Sequence, residues 1–276
     1  MTVQTALLQG TQLLEEGVIS VPRLTAEVLL SHALQQDRSY LYAHSSDELT
    51  ERAWIHYGRY LHERLKGKPT QYITGRQEFY GREFRLTRDV LIPRPETEHL
   101  VEAAIARVRP GDTMLDVGTG SGAIAITLAL EKAARVLATD VSLPALCVAS
   151  SNARRLGAGV RFMACDLATC LAARSIDVLV SNPPYVPRTD HAGLQREVRD
   201  WEPEVALFGG PTGLEIYERL ICEARRVLRP SGWLLVELGY NSLEPVRAML
   251  ASGWSEIEVK HDLAGLPRVL AARYTP

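Results

Sequence analysis

The sequence predicts an α/β fold in which a largely parallel sheet carries helices on both faces, preceded by a helical segment. Two observations favour it. Residues 1–75 carry apolar side chains at helical spacing, and from residue 113 onward short apolar runs alternate with helical patterns. With 276 residues, of which 46% are hydrophobic and 23% charged, the chain has an ordinary globular composition. It is long enough for one large domain or for two.

Three apolar clusters organise the first 75 residues. They are Ala6, Leu7, Leu13 and Leu14, then Leu24, Val28, Leu29 and Ala33, then Trp54, Tyr57, Leu61 and Leu65. Gly67, followed by Pro69, ends the third helix. We therefore expect a small helical bundle over residues 1–75. Its polar face is expected to be either solvated or a docking surface, and consists of Arg52, His56, Arg59, His62 and Arg64.

The pattern changes over residues 76–93, which we expect to form a β-hairpin that links two domains. Its apolar residues are Phe79, Phe84, Leu86, Val90 and Ile92, and Tyr80-Gly81 interrupts them as a turn. The stiff Pro93-Arg94-Pro95 then leads into a helix predicted over residues 97–108. Glu96 and Glu98 either complement the dipole of that helix or cover an edge of a cofactor site.

A glycine-rich loop follows the first predicted strand, residues 114–117, and precedes a helix predicted over residues 123–130. The loop reads Gly118-Thr119-Gly120-Ser121-Gly122. Glycines at such a turn let backbone N–H groups approach a ligand closely. Their spacing differs from the dinucleotide-binding fingerprint, so we do not expect a pyrophosphate.

Three acidic residues lie at or near the ends of successive strands and indicate which ligand the loop holds. Asp116 would repel a phosphate but suit a cation, and Asp140 is placed to accept hydrogen bonds from both ribose hydroxyls. Asp166, with Leu167 beside it, would bracket an adenine. The implied ligand has a ribose, no phosphate and a positively charged or amino-acid end, and S-adenosyl-L-methionine fits that description. Any one of these carboxylates alone could instead be a solvated strand end.

The remaining strands are predicted at residues 135–139, 161–165, 176–181, 233–238, 257–260 and 269–274. The fourth strand of the domain ends in Asn182-Pro183-Pro184-Tyr185. The prolines hold Asn182 and Pro183 out of helical geometry. The Asn182 amide oxygen and a neighbouring backbone carbonyl can then face one point, with Tyr185 as a flat wall. Two such acceptors suit a planar group that bears an NH2, either a carboxamide or a base amine.

Composition narrows the possible partners and compartment. The formal net charge of −2 provides no global attraction to nucleic acid. No charged-then-apolar leader and no apolar run of about 18 residues is visible, so we expect a cytoplasmic protein without a membrane anchor. Cysteines and histidines show no metal-ligand spacing. We expect no metal, and we expect small core positions for Cys147, Cys165, Cys170 and Cys222.

Taken together, these motifs resemble the HemK/PrmC family of class I S-adenosylmethionine-dependent methyltransferases, which methylate a glutamine side chain in peptide chain release factors. The resemblance spans almost the whole chain. It includes residues 67–75, 79–81 and 92–98, the glycine loop, Asn182-Pro183-Pro184-Tyr185 and residues 202–210, Glu-Pro-Glu-Val-Ala-Leu-Phe-Gly-Gly. It implies a seven-stranded, mostly parallel sheet with helices on both faces, and a small N-terminal helical bundle joined by a β-hairpin.

The resemblance also implies the domains and the roles of residues. Residues 1–75 would dock the substrate, 76–93 would link, and 94–276 would bind the cofactor and catalyse transfer. Asn182 and the Pro183 carbonyl would hold the N5 amide of the glutamine in a Gly-Gly-Gln motif. Substrate-contacting residues would be Asn182, Pro183, Pro184 and Tyr185. Cofactor-binding residues would be Gly118, Thr119, Gly120, Ser121, Gly122, Asp140, Asp166, Leu167 and Asn182.

Alternative substrates stay open at this stage. They are a ribosomal-protein glutamine and the amino group of adenine in nucleic acid, because amino-methylating nucleic-acid enzymes share the asparagine tetrapeptide. A third hypothesis is that the chain is a noncatalytic binding module. Departures from the family pattern at Thr212-Gly213, Asn241 and residues 262–268 leave partner docking open. We expect a monomer with no stable nucleic-acid partner.

Overall fold

The computed structural model describes residues 1–276 and divides into two compact units. Unit 1 comprises Met1–Arg76 and Gln195–Trp201, and unit 2 comprises Gln77–Leu194 and Glu202–Pro276. The segment expected as a linker therefore groups almost entirely with unit 2. A short stretch from the expected catalytic domain, in turn, groups with unit 1.

The chain forms twelve α-helices and eleven β-strands. The helices are α1 Val3–Glu16, α2 Pro22–Leu34, α3 Arg38–Ala43, α4 Glu51–Leu65, α5 Thr70–Thr74, α6 Glu98–Ile105, α7 Ala123–Glu131, α8 Leu143–Leu156, α9 Arg196–Trp201, α10 Glu204–Leu207, α11 Glu215–Val227 and α12 Leu243–Met249. The strands are β1 Arg76–Phe79, β2 Arg82–Arg85, β3 Thr113–Val117, β4 Arg135–Asp140, β5 Val160–Ala164, β6 Ile176–Ser181, β7 Val186–Pro187, β8 Phe208–Gly210, β9 Leu228–Glu237, β10 Trp254–His261 and β11 Pro267–Tyr274. Short 3-10 helices cover Pro95–Thr97 and Arg188–Gly193.

Unit 1 is helical, as the apolar spacing predicts. Side chains of Thr2 and Thr50 accept hydrogen bonds from backbone N–H groups and thereby begin α1 and α4. Its buried cluster includes Leu14, Leu29 and Tyr57. Two residues of the predicted clusters, Leu13 and Leu24, are instead exposed.

The polar face of α4 differs from the prediction at two positions, since His56 is only partly exposed and Arg64 is not exposed. Arg64 is buried rather than exposed, and its guanidinium pairs with Glu197 of α9 at 2.7 Å. Arg52, Arg59 and His62 are exposed as expected. A buried arginine is tolerated because a carboxylate balances its charge. The pairing explains why α9 belongs to unit 1.

The main sheet of unit 2 has seven strands in the order β10-β11-β9-β6-β3-β4-β5. All neighbours are parallel except β11, which runs antiparallel to both β9 and β10. This confirms the predicted seven-stranded, mostly parallel sheet. Strand β6 lies between β3 and β9, with Ser181 opposite Val117 on one side and Val236 on the other. The loops after β3, β6 and β9 therefore start side by side.

Helices cover both faces of this sheet. Met114 and Val178 point into one buried cluster with α6 and α7, whereas Leu115 and Leu179 point into another with α11 and α12. Alternating residues of a strand face opposite sides, so strands buried on both faces are apolar throughout. That is the pattern the sequence shows.

The predicted hairpin is present as β1 and β2, with Tyr80 and Gly81 in left-handed conformation at its turn. Phe79 and Phe84 are buried and pack edge to face, with ring centroids 6.1 Å apart. They belong to the same cluster as α6 and α7. The hairpin is therefore part of the core of unit 2 rather than a free linker.

Other sequence expectations are wrong in detail. Strands β7 and β8 pair as a second small parallel sheet that was not anticipated, because two or three residues containing proline or glycine carry no strand pattern. Of the cysteines expected in the core, only Cys165 is buried, and Cys147, Cys170 and Cys222 are exposed. None of the helices is both long and apolar enough to cross a membrane.

Candidate active site

A cavity of about 400 Å³ opens at the carboxyl ends of the parallel strands in unit 2. Its lining includes Gly118 after β3, Asp140 at the end of β4, Asp166 after β5 and Asn182 after β6. In open α/β sheets, this edge is where loops converge and ligands bind. Four separate predictions from the sequence thus meet in one cavity.

The glycine loop forms part of the cavity wall. Gly118 and Gly120 have positive φ angles of 74° and 54°, and a Cβ added at either would meet no atom within 4 Å. Both residues therefore leave their backbone open to a ligand. A side chain at either would project into free space and in a strained conformation.

Thr119, Ser121 and Gly122 are not among the residues that line the cavity, and their part in cofactor contact stays a prediction. Thr119 is buried and donates to Asp116 Oδ2 at 2.6 Å, and Ser121 accepts a hydrogen bond at its backbone oxygen from Asn152. A Cβ at Gly122 would lie 2.7 Å from Ile126. These three residues hold the loop in place from behind.

Asp116 is also placed differently from the prediction. It is fully buried beneath the loop, accepts hydrogen bonds from Thr119 and from Ala125 N, and does not line the cavity. Burial raises the pKa of its carboxyl to about 7, against those two hydrogen bonds. We therefore assign it to anchoring the loop and the start of α7, and not to a direct cation contact.

Asp140 lines the cavity, and a backbone N–H group donates a hydrogen bond to each of its carboxylate oxygens. Oδ2 accepts from Gly120 N at 2.8 Å and Oδ1 from Ser142 N at 2.9 Å. An ionised carboxylate has about four acceptor positions, so each oxygen retains capacity for a further donor. The geometry fits a pair of ligand hydroxyls.

Asp166 and Leu167 form the neighbouring part of the wall. Asp166 pairs with Arg219 at 2.5 Å, and both residues line the cavity and are about half exposed. Leu167 has a left-handed backbone with φ of 53°, and its carbonyl accepts from Thr139 at 2.8 Å. The apolar side chain and the carboxylate are thus presented by one tight turn.

Asn182 is the polar side chain at the end of β6. Its Nδ2 donates to Thr97 Oγ1 at 3.2 Å. Because this bond engages the nitrogen, the oxygen of the same amide is the atom left for a ligand. Pro183 and Pro184 line the cavity beside it. The predicted pair of acceptors, the Asn182 oxygen and the Pro183 carbonyl, is compatible with this arrangement.

The small sheet of β7 and β8 supports that loop. A Cβ at Gly209 would come 2.5 Å from the Pro184 backbone oxygen, and one at Gly213 would collide with the Tyr185 backbone oxygen. The segment 202–213 therefore needs glycine at these places to pack against Pro184 and Tyr185. This gives a physical reason for the Gly209-Gly210 end of the segment noted in the sequence.

Tyr185 is not among the residues that line the cavity, and its contact with the substrate amide stays a prediction. Its ring packs against Gly239, where a Cβ would lie 2.6 Å from its Cδ2. Burial raises the pKa of its hydroxyl to about 12, and the nearby Glu237 carboxylate acts in the same direction. The ring thus lies near Glu237 and outside the cavity that Asn182 lines.

Glu96 and Glu98 do not line the cavity either. The Glu98 carboxylate accepts from Tyr80 N at 2.7 Å and so ties the hairpin turn to the start of α6. Residues 89–91, directly after the hairpin, lie at the cavity instead.

The sequence did not reveal the contacts by which several residues support the site. Glu202 accepts from Ile92 N at 3.3 Å and from the Arg94 guanidinium. Asn152 of α8 bonds both backbone groups of Arg85 in the hairpin and also Ser121 in the glycine loop. The sequence offered little indication of these contacts, because the residues that Glu202 and Asn152 bond lie far away along the chain. No group of three or more His, Cys, Asp or Glu residues that could hold a metal ion is present.

Comparison with known proteins assigns the chain to a family. Residues 5–75 match the family model described as PrmC N-terminal domain, and residues 96–198 match the model described as Methyltransferase small domain. A release factor glutamine methyltransferase of Koribacter versatilis is 44% identical over 278 residues, covering 99% of both chains. One of Nitratidesulfovibrio vulgaris is 44% identical, covering 99% of this chain and 95% of the relative. The chain belongs to the release factor glutamine methyltransferase family.

Solved structures share the fold of about 71–72% of the chain. A methyltransferase of Pyrococcus furiosus matches with a TM-score of 0.53 at 20% identity, covering 71% of this chain and 90% of that one. A Thermus thermophilus 16S rRNA methyltransferase in complex with AdoMet and guanosine matches with a TM-score of 0.53 at 20% identity, covering 72% and 49%. These similarities establish a shared fold.

The cofactor of this methyltransferase family is S-adenosyl-L-methionine. The cavity fits it in chemistry. Gly118 and Gly120 leave backbone open to the ligand, Asp140 has spare acceptor capacity, and Leu167 offers an apolar surface. Arg219 is the one basic residue of the lining, and it pairs with Asp166.

Proposed function

We propose that this protein transfers the methyl group of S-adenosyl-L-methionine to the side-chain amide nitrogen, N5, of the glutamine in the Gly-Gly-Gln motif of peptide chain release factors. The observation that carries the proposal is the Asn182 amide, held through its nitrogen by Thr97 at the edge of the cavity. Its free acceptor matches the N–H groups of a carboxamide. The relationship to release factor glutamine methyltransferases over 99% of the chain supports this choice of substrate.

S-adenosyl-L-methionine supplies a methyl group activated by its positively charged sulfur. We propose that Gly118 and Gly120 hold it through backbone contacts and that Asp140 accepts hydrogen bonds from its ribose. Asp166 and Leu167 are proposed to flank its adenine. Each of these residues lines the cavity.

A carboxamide nitrogen is a weak nucleophile because its lone pair is delocalised into the carbonyl, so placement must do most of the work. We propose that Asn182 Oδ1 and the Pro183 carbonyl accept the two N–H groups of the glutamine. Placement can remove roughly 7–11 kcal/mol of a barrier. A preorganised hydrogen bond adds about 3–4 kcal/mol. The product nitrogen can then lose its proton to water, so no strong base is needed.

Tyr185 and Pro184 are proposed to shape the side of the site from which the glutamine arrives. The Tyr185 ring is held by Gly239, and the Pro184 backbone is held by Gly209. Neither residue need touch the cofactor for this task. Both would keep the substrate amide at a fixed distance from Asn182.

Unit 1 is proposed to dock the release factor. Its match to a model specific for the N-terminal domain of the family supports this, as does the exposed basic face of α4 with Arg52 and Arg59. We further propose that the protein acts as a monomer in the cytoplasm, where release factors function, without a stable nucleic-acid partner. Light scattering during gel filtration measures the molar mass in solution and so tests whether the protein is a monomer.

The function is tested by transfer of labelled methyl from S-adenosyl-L-methionine to three acceptors. These are a purified release factor, the same factor with its Gly-Gly-Gln glutamine replaced, and duplex DNA. We expect label on the intact factor alone. Label on DNA, or equal label on the factor without its glutamine, would contradict the proposal.

A further inference from the structure

A buried carboxyl group lies directly behind Asn182. Glu237 ends β9, which runs parallel to β6 with Val236 opposite Ser181, so the next step along the sheet brings Glu237 beside Asn182. Glu237 is only 3% exposed. Its carboxyl is not used by the methyl transfer described above.

Thr97 connects the two residues. It is 4% exposed, and its Oγ1 accepts the hydrogen bond from Asn182 Nδ2. The Thr97 hydroxyl and the Asn182 amide are both placed to donate to the Glu237 carboxyl. One carboxyl oxygen of Glu237, Oε2, is buried without a hydrogen-bond partner. Burying a carboxyl oxygen without a hydrogen-bond partner destabilises the fold. The presence of glutamate at this position therefore needs a reason other than stability.

Burial, more than the surrounding charges, brings the titration of the Glu237 carboxyl near neutrality. Burial raises the pKa of its carboxyl to about 7, and the Glu96 charge acts in the same direction. Hydrogen bonds from Thr97 and Asn182 and the charge of Arg268 oppose that rise. Tyr185 and Tyr217, the other titratable groups facing it, have pKa values raised further above neutrality by burial and stay uncharged.

We propose, resting on the function proposed above, that Glu237 is a positioning residue that sets which end of the Asn182 amide faces the substrate. An ionised carboxylate only accepts hydrogen bonds, so it holds the Asn182 NH2 group and the Thr97 hydroxyl towards itself. The Asn182 oxygen must then point the other way, to the side where a substrate N–H arrives.

The protonated carboxyl has the opposite effect. It can donate to the Asn182 oxygen and so stabilise the flipped amide. The Asn182 NH2 group would then face the NH2 group of the substrate, a donor against a donor. Methyl transfer should therefore rise with pH as Glu237 ionises, with a midpoint close to 7.

The first test is E237Q, which preserves size, removes the negative charge and replaces one of the two acceptor oxygens with an NH2 donor. We expect kcat at pH 8 to fall roughly a hundredfold, the size of effect that a small misplacement produces. The dissociation constant for S-adenosyl-L-methionine, measured by calorimetry, should stay the same and the melting temperature should not fall. Glu244→Gln, at an exposed position on α12, is the matched control and should behave as the wild type.

Two results would overturn the proposal in this test. One is an E237Q protein as active as the wild type. The other is a protein that loses melting temperature, cofactor affinity and activity together, which would indicate a structural role only. In the wild type, transfer that does not vary between pH 6 and 8 would also contradict it.

A second measurement does not depend on the substrate. The side-chain NH2 resonances of Asn182, followed by NMR in selectively labelled protein, should shift with pH with a midpoint near 7 in the wild type. They should not shift in E237Q. Resonances that are insensitive to pH in the wild type would refute the positioning role. If the wild type shows this titration but does not methylate release factors, the proposed function fails while the positioning role stands.

Discussion

Asn182 has two ends with different tasks. Its nitrogen donates to Thr97, and its oxygen is the group left for a ligand. The peptide after it cannot become helical, because Pro183 and Pro184 restrict the backbone. A single side chain thus combines a fixed orientation with a free acceptor at the cavity.

Asn182→Ala should abolish most turnover while the fold persists. Removing one preorganised hydrogen bond lowers kcat by about 100- to 1,000-fold. The loss of the Thr97 contact should cost about 1 kcal/mol of unfolding free energy. Steady-state kinetics with release factor and calorimetry with S-adenosyl-L-methionine separate these effects. Thr189→Ala, at an exposed position of the 3-10 helix Arg188–Gly193, should keep full activity. An Asn182→Ala protein that matches it would refute the role of Asn182.

Single residues also show where sequence reasoning stopped. Asn182, Asp140 and Gly118 were found because each directly follows or ends an apolar strand. Glu237 and Thr97 were missed because their significance depends on contacts between distant chain segments. Thr97 lies 85 residues before Asn182 in the sequence. The orientation of the Tyr185 ring depends on Gly239, which no local pattern links to it.

At the scale of elements, the loop after β6 depends on a neighbour that has little secondary structure of its own. Strands β7 and β8 contain only two and three residues, yet they bring residues 202–213 against Pro184 and Tyr185. Glu202 joins the start of this segment to Ile92 and Arg94. The segment therefore acts as a support for the substrate side of the site.

Gly209→Ala should disturb that support. Its Cβ would lie 2.5 Å from the Pro184 oxygen, so one of the two backbones must move. Overpacking of this kind costs about 1–3 kcal/mol, and we expect a larger fractional loss of kcat than of cofactor affinity. Gly193→Ala, where an added Cβ meets nothing within 4 Å, is the control for urea unfolding and activity. Equal behaviour of the two variants would show that the close approach has no role.

Elements with a regular period were predictable, and those without one were not. The alternation of apolar strands and helices was sufficient for the sheet, and the positions of β3, β4 and β6 agree closely with expectation. The hairpin was recognised from Tyr80-Gly81. The pairing of β7 with β8 and the grouping of α9 with unit 1 depend on long-range contacts, including the one between Arg64 and Glu197.

At the scale of the whole molecule, two buried carboxyls give stability a pH dependence. The folded-state pKa values of Asp116 and Glu237 are raised by burial to about 7, above their unfolded values of 3.8 and 4.5. The folded state therefore binds more protons than the unfolded state between those values. These two groups make unfolding easier as pH rises from about 5 to 7. The lowered pKa of His32 has the opposite sign, because the folded state then binds fewer protons.

We expect E237Q to separate the Glu237 contribution. Relative to the wild type, the variant should gain unfolding free energy as pH rises from 5 to 8, by on the order of 2 kcal/mol. Urea unfolding at pH 5, 6, 7 and 8 measures the difference. A difference between the two proteins that stays constant across this range would show that the carboxyl titrates normally. A gain in stability with a loss of activity would mark a residue kept for function.

The most direct measurement of the central claim is the position of the transferred methyl group. Release factor should be incubated with the protein and S-adenosyl-L-methionine, digested, and sequenced by tandem mass spectrometry. We expect one added methyl group, on the side-chain amide of the Gly-Gly-Gln glutamine, and none with the Asn182→Ala protein. A methyl group on any other residue would contradict the assignment. So would a glutamine that stays unmodified when the protein is folded and binds S-adenosyl-L-methionine.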